Sequence, residues 1–139
     1  MIVDILNPVK NANTIEEATY FFAGVLIHKR TLDKLCIDIE FEDLGEDHGF
    51  CEKTDDFDYT ITLNSNLSLM NMIKTLAHEM VHVKQHAKKE LKDSNGAIIW
   101  KKKLYRDYNY FEAPWEVEAY SMEDDLLELY IKEGAPKSP

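Results

Sequence analysis

Leu69-Met70-Asn71-Met72-Ile73-Lys74-Thr75-Leu76-Ala77-His78-Glu79-Met80-Val81-His82-Val83-Lys84-Gln85-His86-Ala87, continuing through Lys88-Lys89-Glu90-Leu91, repeats its apolar residues at the helical period. Leu69, Met72, Ile73, Leu76, Met80, Val83, Ala87 and Leu91 fall on one broad side, and His78 and His82 lie nearly opposite. Asn64, Ser65, Asn66 and Ser68 supply turn and capping residues before it. One long helix is therefore expected from about Leu69 to Leu91. A helix with a core on one side and paired histidines on the other lines a cleft.

Outward from that helix the pattern is α+β. Thr14 can cap an N-terminal helix over about Ile15 to Lys29, with Glu16 and Glu17 where the helix dipole favours acids. Leu35 to Phe41 alternates as a half-buried strand. An acidic, Gly-containing turn from Leu44 to Gly49 leads to a short second strand at Phe50 and Cys51, and Tyr59 to Leu63 alternates again. These form a small antiparallel or mixed three-stranded sheet. Lys92 to Ala113 reads as a polar, then aromatic, connection. Pro114 opens a second long helix to about Lys132, with Trp115, Ala119, Met122, Leu126 and Leu129 as its stripe. Residues 1–133 are expected to make one domain, and 134–139 a disordered tail.

The chain has 139 residues, 45% hydrophobic and 30% charged, and carries a net charge of −10. It is long enough to bury a core without disulfides. No apolar run is long enough to span a bilayer, and Met1 to Lys10 lacks the features of a signal peptide. Cys36 and Cys51 read as reduced, packed thiols, so a cytoplasmic location is expected (a host's cytoplasm if a phage encodes the chain). Charge is uneven: −9 over residues 1–80, +6 over 81–106 and −7 over 107–139. The basic island reads as a solvated face paired with acids of its own domain. Nucleic acid is not an expected partner, because nucleic-acid binders are usually basic overall. A monomer acting on a peptide or protein is expected.

Histidines four apart on a helix share a face, so His78 and His82 can meet one metal ion. Glu79 projects beside that ion, where it can deprotonate an activated water. His86 lies eight residues from His78, or about 12 Å along an unbroken helix axis, too far to share the ion. The third ligand is then a carboxylate of the last helix. Glu118 flanks the apolar stripe and is preferred, with Glu116, on the other flank with Glu123, and then Glu112 as alternatives. His86, Tyr105, Tyr108, Tyr110 and Tyr120 are candidates to touch substrate or the developing oxyanion. Tyr59 to Leu63 would be either an edge strand that pairs with an extended substrate or an ordinary core strand.

The order of elements, His78-Glu79-Met80-Val81-His82, and a downstream helix carrying Glu118-Ala119 resemble a minimal gluzincin, the zincin branch with two His and one Glu as ligands. The chain is also similar to SprT-like and phage-encoded small metallopeptidases in size and layout. The resemblance spans roughly residues 14–132, with its motifs in two helices. It implies a zincin-like fold, Zn2+ held by His78, His82 and Glu118, and Glu79 as general base of peptide hydrolysis. Gluzincins often place an Asp four residues after the ligand Glu. Here that position is Met122, so either Asp125 or a backbone carbonyl orients a zinc-bound His, or the ligand is a different Glu. The chain lacks the cysteine-rich ribbon of many SprT relatives, which speaks against a DNA-linked role. Two other functions fit the same residues: a zinc amidase acting on cell-wall peptides, and a zincin-fold binding or regulatory protein with weak catalysis.

Overall fold

The computed structural model describes residues 1–134. Its order is β1 (Ile2–Ile5), α1 (Ala12–Leu26), α2 (Lys29–Leu32), β2 (Cys36–Glu42), β3 (Gly49–Asp55), β4 (Asp58–Asn64), α3 (Leu69–Ala87), β5 (Leu91–Ser94), β6 (Ala97–Trp100), β7 (Lys103–Tyr105), a 3-10 turn at Tyr110–Glu112, α4 (Pro114–Leu129) and a final π-helical turn, Tyr130–Gly134. The class is α+β, as the sequence implies. Residues 135–139 of the expected tail lie outside the described residues, and Gly134 belongs to the final turn.

The main sheet has four strands in the order β1-β2-β4-β3, not three. β1, β2 and β4 are parallel, and β3 runs antiparallel to β4. The alternation in β2 and β4 dictates which face is buried. Ile37, Ile39 and Phe41 stand in register with Tyr59, Ile61 and Leu63, and all six are buried. Each such side chain contributes roughly 1.5–3 kcal/mol of burial free energy. They share one cluster with Ile15, Phe22, Leu76 and Met80 of α1 and α3, so the helices cover this face. The other face carries polar pairs such as Thr62 donating to Glu40 at 3.1 Å. β4 lies between β2 and β3, so of the two readings of Tyr59–Leu63 the core strand holds and the edge strand does not. The edge on that side is β3.

α3 starts where Ser68 Oγ accepts the Asn71 amide at 3.2 Å, but it stops at Ala87 rather than Leu91. The amides of Lys89 and Glu90 bond back to the carbonyls of His86 and Gln85, both at 2.9 Å. This is a Schellman closure, which needs a left-handed residue after the cap. Lys89 occupies that position at φ 60°. Leu91 then enters β5.

The expected connection at 92–113 instead holds a second sheet, β5-β6-β7. Its first hairpin turns on Asn95 and Gly96, at φ 47° and 82°, the conformation Asn-Gly favours in a two-residue loop. Leu91 and Trp100 pack with Trp115 and Ala113, clamping this sheet to the start of α4. Among the described residues no helix is long and apolar enough to cross a membrane.

Candidate metal centre

α3 and α4 run antiparallel. Trp115 O accepts from Gln85 Nε2 at 2.9 Å near one end, and Glu123 lies 3.7 Å from Lys74 Nζ near the other. Between these contacts His78 and His82, one turn apart, place their ring centroids 5.1 Å from each other. Both Nε2 atoms converge on one oxygen, Glu116 Oε1, at 3.0 Å and 3.2 Å. Ligand atoms about 2.0–2.1 Å from a tetrahedral zinc stand on the order of 3.3 Å apart, so both distances to Glu116 have nearly the spacing of such a site.

The outer nitrogens show what this cluster wants at its centre. His78 Nδ1 lies 2.9 Å from Glu123 Oε2, and a carboxylate there calls for a donated N–H. His82 Nδ1 lies 2.8 Å from Gln85 Oε1. The Gln85 amide is oriented by its own Nε2, which donates to Trp115 O and to Glu118 Oε1, so its oxygen must accept from His82. With both Nδ1 atoms protonated, the neutral rings aim bare Nε2 lone pairs at a carboxylate oxygen. That contact is repulsive unless a proton or a metal cation sits between them. The group His78, His82 and Glu116 can thus hold a metal ion, and its donor set suits zinc.

The same contacts favour the protonated rings when no cation is bound. Burial would raise the Glu116 pKa, but hydrogen bonds from His78 and His82 outweigh it and hold the carboxyl at about 2. Burial opposes charging of both imidazoles, yet the Glu116 contact and the nearby Glu79 charge push each above its ordinary value. Glu79 is 6% exposed and makes no side-chain hydrogen bond among the described residues. Burial raises its pKa, against the pull of the two imidazoles. A buried carboxyl with no partner, beside a cation site, suits an acid–base group.

The centre opens on a cleft of about 790 Å³, whose lining includes His78, Glu79, Tyr110, Phe111, Tyr120 and Glu123. Tyr120 stands edge-on to the His78 ring with centroids 4.5 Å apart. The Tyr110 hydroxyl is raised in pKa by burial and by the Glu116 charge.

Several expectations change here. Glu118 does not join the histidines: its Oε1 takes Lys84 Nζ at 2.7 Å and Gln85 Nε2 at 3.2 Å. Glu116 and Glu118 lie about 200° apart on a helix. The antiparallel pass of α4 over α3 turns the Glu116–Glu123 flank to the histidines and the Glu118 flank to the last turn of α3. The carboxylate behind His78 is Glu123, not Asp125 or a backbone carbonyl. A sequence signal existed for it, because Glu116 and Glu123 are seven residues apart and share a face. Gln85, three residues beyond His82 on its own helix, was equally legible. His86 faces a separate depression with Lys53, Lys89, Leu91, Lys92 and Asp93, its ring 6.1 Å from that of Tyr59. Tyr105 and Tyr108 pack edge-on against Trp115, at 5.5 Å and 4.9 Å, away from the cleft. Of the tyrosine candidates only Tyr110 and Tyr120 line it. Lys84 pairs with Glu90 and Glu118, so part of the basic island is paired within the chain.

A mixed sheet backed by helices, with two imidazoles and a carboxylate converging across a helix pair, defines a small α+β protein with a centre able to hold a metal ion. Residues 32–132 match the family model Peptidase M78, the IrrE N-terminal-like domain, and the chain belongs to that family, which is of zinc-metallopeptidase type. No curated protein and no solved structure matches it.

Proposed function

We propose that this chain is a zinc-dependent peptidase whose ion is held by His78, His82 and Glu116 and whose general base is Glu79. The observation that carries the reading is the convergence of His78 Nε2, His82 Nε2 and Glu116 Oε1, with the unpartnered Glu79 on the same cleft wall. A zinc ion in this position would polarise a peptide carbonyl and acidify water. Glu79 takes the proton of the attacking water and delivers it to the leaving nitrogen. Glu123 and Gln85 hold the imidazoles in the tautomer that presents Nε2 inward. The hydroxyls of Tyr110 and Tyr120 are O–H donors on the cleft that can meet the developing oxyanion.

Substrate enters in extended form along β3. That strand leaves one side unpaired, and its first residues, Gly49 and Phe50, line the cleft. Gly49 is required for this closeness: a Cβ there would lie 2.6 Å from Thr62 O and 2.9 Å from Thr75 Cγ2.

The test compares wild type with Glu79→Gln for zinc content and hydrolysis of an unstructured protein such as casein. Zinc retained with hydrolysis reduced at least about a thousandfold supports the assignment, since removing a catalytic group typically costs that much or more. Equal hydrolysis by both proteins overturns it.

A further inference from the structure

The cleft's far wall has a charge and surface character that its metal centre does not use. The loop from Asp43 to His48 brings Glu46 and Asp47 to the cleft lining, and neither makes an ion pair among the described residues. Lys74, the lysine on the same lining, is committed to Asp124 at 2.9 Å and Glu123 at 3.7 Å. The acidic loop is also held in place. Buried Asn64 donates to the carbonyls of Gly45 at 3.1 Å and Asp47 at 2.8 Å, and its amide bonds His48 O at 2.8 Å. The loop that carries these two exposed carboxylates is thus fixed at the cleft mouth, with no cation paired to them among the described residues.

Beside them stand apolar groups that folding has not covered. Phe50 is 48% exposed, Tyr110 51% and Phe111 70%. All three line the cleft. Their exposure leaves apolar area for a ligand to bury, at roughly 25 cal/mol per Å². The buried, unpartnered Glu79 faces the same space.

We infer that the cleft selects an extended peptide segment in which a bulky apolar side chain is flanked by lysine or arginine. The apolar side chain packs on Phe111, Tyr110 and Phe50. The cationic one meets Glu46 and Asp47, in line with β3, where strand pairing carries the peptide past the loop. This inference rests on the peptidase reading for the placement of the peptide. Its test does not need turnover.

Fluorescein-labelled peptides with a Phe-Leu core, flanked by lysines or by glutamates, are titrated into zinc-loaded Glu79→Gln protein and followed by anisotropy. The lysine-flanked peptide is expected to bind about tenfold tighter or better, the range of a few complementary charges at a rim. The pair Glu46→Lys and Asp47→Lys, in the same background, erases or reverses that preference. Glu17→Lys with Asp33→Lys, exposed positions off the cleft that change net charge equally, preserves it. Phe111→Ala weakens both peptides about tenfold. Preference that survives reversal of the loop, or that falls equally in the control pair, overturns the charge assignment. Unchanged binding in Phe111→Ala overturns the apolar one. A wild-type protein that binds zinc but cleaves nothing refutes the peptidase reading while these binding ratios still decide the recognition.

Discussion

Glu123 Oε2 stands 2.9 Å from His78 Nδ1, on the side of the ring opposite Glu116. The carboxylate fixes the tautomer and raises the basicity of the nitrogen that faces inward. Glu123→Ala is therefore expected to weaken zinc binding about 10- to 100-fold while leaving the fold intact. Competition against a chelator of known affinity measures this. Unchanged affinity would mean the contact is incidental.

Glu116 and Glu118 offer a sharper contrast. Glu116→Gln should release the ion, because it removes the charged member of the donor set. Glu118→Gln should keep it and lose only the charge behind the contacts to Lys84 and Gln85, on the order of 1 kcal/mol in denaturant unfolding. Metal stoichiometry by mass spectrometry separates the two. Zinc lost only from the Glu118 variant would reverse the assignment.

The pH dependence has a definite sign. In the metal-free chain the two imidazoles titrate above their ordinary 6.5, so their contribution to stability is full below 6.5 and is lost as pH rises through the raised values. Glu116, held at about 2 against an ordinary 4.5, contributes above 4.5 and loses that contribution as pH falls toward 2. Zinc needs the deprotonated imidazoles. The rise in Tm on adding zinc should accordingly be small near pH 5 and larger near pH 8, a comparison that spans the histidine range. Calorimetry with and without EDTA tests it, and a zinc-induced shift that shrinks with pH contradicts it.

Lys89 closes α3 at φ 60°, where a side chain is strained and glycine is not. Lys89→Gly should raise stability by about 0.5–1 kcal/mol, seen as a higher denaturant midpoint at unchanged slope. A lower midpoint would show that the lysine side chain makes up for its backbone.

How much was legible depended on range in the chain. The stripe of α3, its Ser68 cap and the shared face of His78 and His82 are local, and the structure keeps them. The end of α3 was not legible, because a lysine takes the place of the glycine that would have marked it. β1 was missed because it has only four residues and joins β2 in parallel across an intervening helix. The β5–β7 sheet was missed because its strands are three or four residues long and two of them carry lysines, although Asn95-Gly96 did signal a hairpin.

By itself the sequence determined the histidine pair, the glutamate between them and the side of α3 that faces the core, since 100° per residue leaves those relations no freedom. Which carboxylate meets the two histidines was decided by tertiary structure alone. Glu116 and Glu118 flank the same apolar stripe, and a stripe says only that a helix packs, not in which direction it crosses its neighbour. The Leu91–Trp100–Trp115 cluster and the Gln85–Trp115 bond fix that crossing. They turn Glu116 and Glu123 onto His78 and leave Glu118 to Lys84.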